Sequence, residues 1–199
     1  MGEIERDARR LWAAVAAWVL AATALTIILV ETLASPLKEQ GIAFSTARMT
    51  AYVTAGLTGL LFIASALAFA FIIWLALCWI GVAASFGRVL GSLAPGFWVL
   101  AIYAGLAAAV LWLVPLPSFP ADALGSWESY RRSILMEEPL RSIWLARIPA
   151  MVVAMASVAI SVKRRVSCMW KDACIGIGCG IAFLLALSLI LNLLGATPE

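Results

Sequence analysis

The chain has 199 residues, of which 64% are hydrophobic and 13% are charged, and its mean hydropathy is +1.03. Soluble domains contain about 45–50% apolar and about 25% charged residues, so this composition excludes an ordinary water-soluble domain and predicts an integral membrane protein. The net charge of +3 is too small and too scattered for a nucleic-acid-binding protein, and the absence of histidine removes the commonest general base and metal ligand.

Five long apolar stretches predict five transmembrane helices, which makes the expected fold an all-α membrane bundle. A membrane-crossing helix needs about 20 mostly apolar residues, and the sequence lacks the alternation of polar and apolar residues that barrel strands require. The first stretch carries one charge, Glu31, near its end, and Ser35-Pro36 terminates it. The predicted spans cover residues 11–33, 57–80, 95–114, 140–162 and 173–194.

The stretch from Met49 to Gly87 contains no charge and is long for one span but short for two. A helical hairpin here would give six spans and would move the later basic cluster at 163–171 to the outside of the cell. Because Lys and Arg residues favour the cytoplasmic side, we expect a single tilted span with a lead-in rich in threonine, alanine and glycine.

The connection between the third and fourth spans is a sizeable predicted segment outside the membrane. Apolar residues that include Trp127 and Tyr130 can share one face of a short helix within 121–141, while Arg and Glu residues take the other face. This pattern predicts an amphipathic helix in the headgroup region, with an ordinary polar loop as the alternative. Trp98 and Trp112, in the third span, are expected to be interfacial anchors as well.

The basic residues predict the orientation of the chain. With five spans, eight of them lie on one side of the membrane and five on the other, and Arg147 lies inside the fourth span. The positive-inside rule then predicts a cytoplasmic N-terminus and an external or luminal C-terminus. The cytoplasmic group is Arg6, Arg9, Arg10, Arg88, Lys163, Arg164, Arg165 and Lys171, and the external group is Lys38, Arg48, Arg131, Arg132 and Arg141.

The densest basic cluster follows the fourth predicted span. It consists of Lys163, Arg164, Arg165 and Lys171, with Trp170 among them. Such a cluster can act as a topology signal alone, or it can also contact anionic lipid headgroups. Membrane lipids are therefore expected partners, and nucleic acid is not.

Two charged residues, Glu31 and Arg147, fall within predicted spans. Charged side chains at membrane depth are candidates for a functional role, and these two could form an ion pair between the first and fourth helices. Each also lies within a turn or two of a helix end, so each side chain could instead reach the interface. Two such shallow charges do not define an ion pathway.

Gly176 and Gly180 form a small-xxx-small pattern at the start of the fifth span. This pattern allows another helix to approach closely, and it predicts a packing face within the bundle or between subunits. The neighbouring glycines resemble a phosphate-binding loop only superficially, because no strand precedes them and no Lys-Ser/Thr pair follows. The alanine-rich segments 13–17 and 107–109 fit the same packing role.

The sequence contains no motif of a hydrolase, metalloprotease or phosphotransferase. Its four cysteines, Cys78, Cys168, Cys174 and Cys179, include no C-x-x-C pair, and their spacing matches neither a usual zinc cluster nor a redox pair. We interpret them as small apolar residues packed in helices. The expected protein is therefore not an enzyme and holds no cofactor or metal.

The five-span layout resembles the Yip1 family. The likeness is strongest over 79–114, where a short loop with Arg88 and Pro95 leads into the third helix, and it extends to the run 159–165 at the end of the fourth. The Asp-Leu-Tyr-Gly-Pro motif of eukaryotic members is absent, so recognition of Rab GTPases is not implied. The resemblance implies a prokaryotic-type protein of the inner membrane that serves as a scaffold or adaptor and can self-associate.

The sequence is compatible with three functions. The first is a non-enzymatic, Yip1-like scaffold or adaptor that works through helix–helix association with itself or with other membrane subunits. The second is an accessory subunit of a larger respiratory, photosynthetic or secretion complex. The third is a small-solute transporter or channel, which would need polar groups converging near the midplane and usually an internal repeat.

Overall fold

The computed structural model describes residues 2–33, 42–114 and 138–195, and these residues are helical apart from short turns. No strand occurs within these three ranges, which confirms the all-α class. Trp127, Tyr130 and most of the predicted interfacial helix lie outside the described residues. The helices are α1 (Gly2–Leu33), α2 (Ile42–Trp79), α3 (Phe86–Gly91), α4 (Ala94–Leu113), α5 (Leu140–Val166) and α6 (Trp170–Gly195).

Three stretches among the described residues are long and apolar enough to cross a membrane: Arg9–Glu31, Phe86–Leu113 and Leu140–Val166. A shorter apolar stretch, Ile63–Trp79, lies in α2. Their surfaces are strongly apolar, since Leu20 in α1 is 71% exposed and Val152 in α5 is 64% exposed, among many large apolar side chains. Water-soluble proteins rarely expose contiguous apolar surface on this scale, so the helices are of the membrane type.

The charge-free stretch that begins at Met49 lies in one unbroken helix up to Trp79. α2 begins at Ile42, far ahead of the predicted span at 57, and no turn interrupts it as a hairpin would require. α1 likewise begins at Gly2, although the predicted span begins at residue 11. In both helices, the polar residues ahead of the apolar stretch are helical too. Hydropathy indicates which part of a helix suits lipid, but it does not indicate where the helix begins.

The chain forms two compact units. The first unit contains Met1–Val15, Leu60–Phe97 and Ala154–Glu199, and the second contains Ala16–Gly59 and Trp98–Val153. α1, α2, α4 and α5 therefore each contribute one end to each unit, whereas α6 belongs to the first unit alone.

Each unit has its own buried core. The largest fully buried side chains of the first unit are Ile73, Leu77, Val89, Ser92 and Val162. In the second unit the core is built around Leu111 and Leu140, and the partly buried residues packed against them are Leu25, Ile28, Leu29 and Ile143. In the second unit α4 also buries small side chains at the helical period, namely Ala101, Ala104, Ala107 and Ala108.

Candidate functional site

Gly176 and Gly180 are buried, and both lie against α2 within the first unit. A Cβ atom added to Gly176 would lie 3.3 Å from Ile73 Cγ2 and 3.4 Å from Leu77 Cγ. One added to Gly180 would lie 2.5 Å from Cε2 of Phe69. Because a step of four residues forward on α6 matches a step backward on α2, the two helices pack antiparallel, with the glycines at the closest approach.

The opposite face of α6 carries a second set of small residues. Gly178 is exposed, and a Cβ atom added there would meet no other atom within 4 Å. Cys174, one turn earlier, is exposed as well, and exposed Cys179 lies between the two faces. α6 therefore has one glycine face that α2 covers. On its other side Gly178 and Cys174 are exposed together with the larger Ile175 and Leu185.

A third close glycine contact joins α4 to α5 in the first unit. A Cβ atom on Gly96 would lie 2.7 Å from Val158 Cγ2 and 3.3 Å from the carbonyl oxygen of Ala154. Gly96 belongs to no motif in the sequence. The only local signal was its place next to Pro95, in the first turn of α4.

The basic cluster lies where α5 ends and α6 begins. Ser167 forms the turn with a φ of 57°, in the left-handed region. The carboxylate of Asp172 then accepts the backbone N–H of Met169 at 3.1 Å, which is one half of a capping box. The Lys163 amine lies 4.5 Å from the centroid of the Trp170 ring, so a cation–π contact links the two helices across the turn.

The four predicted basic residues differ in exposure. Arg164 and Lys171 are exposed, whereas Lys163 and Arg165 are half-buried. All four belong to the first unit, and so does Arg88 of α3, whose side chain is exposed. The first unit therefore gathers the basic residues that the sequence assigned to the cytoplasmic side.

Each member of the predicted charge pair has a tyrosine in its surroundings. Glu31, at the end of α1, accepts a hydrogen bond of 2.9 Å from the Tyr52 hydroxyl on α2. Arg147 is exposed on α5 and interacts electrostatically with the Tyr103 hydroxyl, which donates a 2.7 Å hydrogen bond to the Ile143 carbonyl. A pair between Glu31 and Arg147 stays a prediction, and Tyr52 is a partner that sequence reasoning missed.

Two of the predicted aromatic anchors are described, and both are accessible. Trp98 is 46% exposed and Trp112 is 77% exposed, near the start and the end of α4. Trp112 lies next to exposed Leu113, as expected for an aromatic residue at a lipid boundary. Trp127 and Tyr130 lie outside the described residues.

An aromatic cluster that the sequence analysis missed fixes the turn between α2 and α3. The Trp74 indole nitrogen donates a 2.9 Å hydrogen bond to the Ala84 carbonyl oxygen, and its ring contacts Phe71 and Phe86 at centroid distances of 5.6 and 6.0 Å. Ser85 then caps α3, its hydroxyl accepting the N–H of Arg88 at 3.4 Å. The turn is therefore tied to α2 before α4 begins.

The four cysteines are free thiols. Cys78, Cys174 and Cys179 lie in helices, but their side chains are exposed, so they do not pack inside the described part of the chain. Cys168, in the turn before α6, is half-buried, and this burial, with a smaller contribution from the Asp172 carboxylate, raises the pKa of its thiol. Within the described ranges no three His, Cys, Asp or Glu side chains converge in a way that could hold a metal ion.

Comparison of the chain with known protein families, with curated proteins and with solved structures gives no match.

Proposed function

We propose that this chain is a multi-pass membrane protein that crosses the bilayer five times, with its N-terminus in the cytoplasm and its C-terminus outside. Three stretches supply crossings by length and composition. α2, with its apolar segment Ile63–Trp79, and α6, with 26 residues, supply the other two. A hydrocarbon core of about 30 Å needs about 20 helical residues, so both helices are long enough.

The alternation of helix ends between the two units supports this proposal most directly. The first unit takes the start of α1, the end of α2, the start of α4 and the end of α5. A chain that reverses direction at each connection produces this order, and the antiparallel packing of α6 on α2 continues it. All eight basic residues assigned to the cytoplasm belong to the first unit, which supports a single cytoplasmic face.

Cysteine labelling tests the orientation. In a variant with Cys78, Cys174 and Cys179 changed to alanine, we expect a membrane-impermeant maleimide to reach Cys168 only from the cytoplasmic side. Adding Ser142→Cys and Cys168→Ala instead moves the single thiol to the start of α5, which we expect to be labelled from outside. Labelling of both thiols from the same side would contradict the layout.

We further propose that the protein acts as a non-enzymatic scaffold or adaptor through helix–helix association. The face of α6 that contains Cys174 and Gly178 supports this role, because it is exposed and the glycine leaves room at that position for another helix to approach. The covered face with Gly176 and Gly180 serves the fold of the chain itself. This role agrees with the Yip1-like layout and needs no cofactor.

Disulfide cross-linking in membranes tests the association. A variant that keeps only Cys174 is expected to form covalent dimers on oxidation, and Gly178→Leu is expected to reduce them strongly because the bulkier side chain separates the helices. A variant that keeps only the exposed Cys78 of α2 is the matched control and should give few dimers.

Purification in mild detergent separates the alternatives. A homo-oligomer supports the scaffold, whereas stoichiometric large subunits in the purified sample would favour an accessory role in a respiratory, photosynthetic or secretion complex. Solute flux in liposomes would instead favour a small-solute transporter or channel. A strictly monomeric protein without cross-links would contradict association of this chain with itself.

A further inference from the structure

We propose that the turn between α5 and α6 is a binding site for the phosphate group of anionic phospholipids. The site consists of the Lys163–Trp170 pair together with Arg164, Met169 and Lys171. This proposal requires membrane insertion, which is part of the proposed function, but it does not require association between copies of the chain.

The contact between Lys163 and Trp170 organises the site. The amine lies 4.5 Å from the ring centroid, which holds the last turn of α5 against the first turn of α6. Arg164 follows one member of this pair in the sequence and Lys171 follows the other, so the two exposed cations stand at the same short connection. Lys163 itself is half-buried. Lys163, Arg164 and Lys171 therefore bring three cations to the connection between α5 and α6.

The acidic residue of the turn does not cancel this charge at the surface. Asp172 is half-buried, and its carboxylate accepts the backbone N–H of Met169, so it faces the start of its own helix. A carboxylate is favourable there because the helix dipole is positive at that end. The outward charge of the turn is thus supplied by Arg164 and Lys171, which suits a partner with a negative charge.

The apolar side chains beside the cations identify the partner as a lipid. Met169 is 65% exposed and Trp170 is 48% exposed. A site for a soluble phosphate would gain nothing from these side chains, whereas at a membrane they can enter the boundary between headgroups and acyl chains while the cations meet the phosphates. Tryptophan is the residue most typical of that boundary.

The affinity for labelled lipids tests the proposal. The full-length protein is reconstituted in nanodiscs of phosphatidylcholine that contain a trace of spin-labelled phosphatidylglycerol or spin-labelled phosphatidylcholine, and the motionally restricted fraction of each label is measured. We expect the wild-type chain to prefer phosphatidylglycerol. In the double variant Arg164→Gln, Lys171→Gln the preference should fall about tenfold, and each single variant should lose about threefold. The variant Trp170→Leu should lose about twofold, because the amine of Lys163 is no longer held over a ring.

A matched variant removes the same charge elsewhere. Arg141→Gln with Arg147→Gln takes two cations from α5 in the second unit and is expected to leave the preference unchanged. Equal losses in both double variants, or no preference in the wild-type chain, would overturn the proposal. The restricted phosphatidylcholine signal reports insertion in every sample, so a failure of membrane insertion is distinguished from a failure of lipid selection.

The source of the phosphate is tested in the same samples. Excess inorganic phosphate, added at constant ionic strength, is expected to leave the preference for phosphatidylglycerol nearly unchanged. If inorganic phosphate abolishes the preference, the turn binds a free anion and the assignment to lipid is wrong.

Discussion

The backbone of Gly180 on α6 lies directly against the ring of Phe69 on α2. A Cβ atom on Gly180 would come within 2.5 Å of ring atom Cε2 and 2.7 Å of Cδ2, and Phe69 is buried. We therefore expect Gly180→Ala to force the ring to move and to destabilise the protein by about 1–3 kcal/mol. The check is the thermal unfolding midpoint in detergent, which should fall by roughly 2–4 °C per kcal/mol.

Gly105 on α4 provides the control. It is exposed, and a Cβ atom there would meet nothing within 4 Å, so Gly105→Ala should keep or slightly raise the midpoint, because alanine favours the helix by about 1 kcal/mol over glycine. If the two variants unfold at the same temperature, the close packing of α6 on α2 is contradicted.

A second close contact predicts a rescue. Gly96→Ala would bring a methyl group to 2.7 Å from Val158 Cγ2, so we expect a loss of about 1–3 kcal/mol. Val158 is buried, and Val158→Ala alone should also destabilise by leaving a cavity. In the double variant the new methyl group occupies part of that space, and the loss should be smaller than the sum of the two single losses. Additive losses would show that the two residues are not in contact.

The hydrogen bond between Tyr52 and Glu31 predicts coupling between α1 and α2. Tyr52→Phe removes the donor, and Glu31→Ala removes the carboxylate that accepts it at 2.9 Å. Because this contact is exposed, we expect a coupling energy of about 0.5–1 kcal/mol in a double-mutant cycle, measured from unfolding midpoints of the full-length chain. Tyr103→Phe, which removes a different hydroxyl, should show no coupling with Glu31→Ala.

The thiol of Cys168 should titrate above the ordinary cysteine range. Burial and the Asp172 carboxylate both disfavour the thiolate, so its fraction is reduced at every pH and alkylation accelerates only as the pH rises through a raised pKa. The measurement is the pH dependence of maleimide reaction in a variant with Cys168 as its single cysteine, compared with the same chain unfolded in denaturant.

Asp172→Asn separates the two causes of this shift. It removes the negative charge but keeps an oxygen that can accept the Met169 N–H, so the midpoint of the alkylation curve should move to lower pH. A midpoint at or below that of the unfolded chain would contradict the raised pKa of Cys168.

The sequence predicted the bounds of a helix well where the helix is no longer than its apolar stretch. α4 runs from Ala94 to Leu113, and the predicted span was 95–114. The two agree because the turn with Ser92 before α4 and the prolines after it end both the helix and the apolar stretch. α1 and α2 extend much farther than predicted. Their first residues, such as Glu3 in α1 and Thr50 in α2, are polar but remain compatible with a helix, so a hydropathy window does not include them.

The sequence does not predict the partners of the candidate site residues, because these depend on which helices pack together. Gly176 and Gly180 could be recognised as a packing face, but the partner could not, since their contacts Ile73 and Phe69 lie about a hundred residues earlier in a helix rich in similar apolar side chains. The pairing of Tyr52 with Glu31 likewise depends on two helices lying side by side, and no sequence spacing predicts it.

The unequal lengths of α2 and α4 imply different responses to the thickness of the bilayer. At 1.5 Å per residue α4 is about 30 Å long, close to the hydrocarbon thickness, whereas the 38 residues of α2 extend over about 57 Å. No charged residue follows Arg48 in α2 up to its end. This helix can therefore tilt or shift along its axis without moving a charge into the hydrocarbon. In the proposed five-span layout, α4 would therefore resist thinning or thickening of the membrane, and α2 would accommodate it.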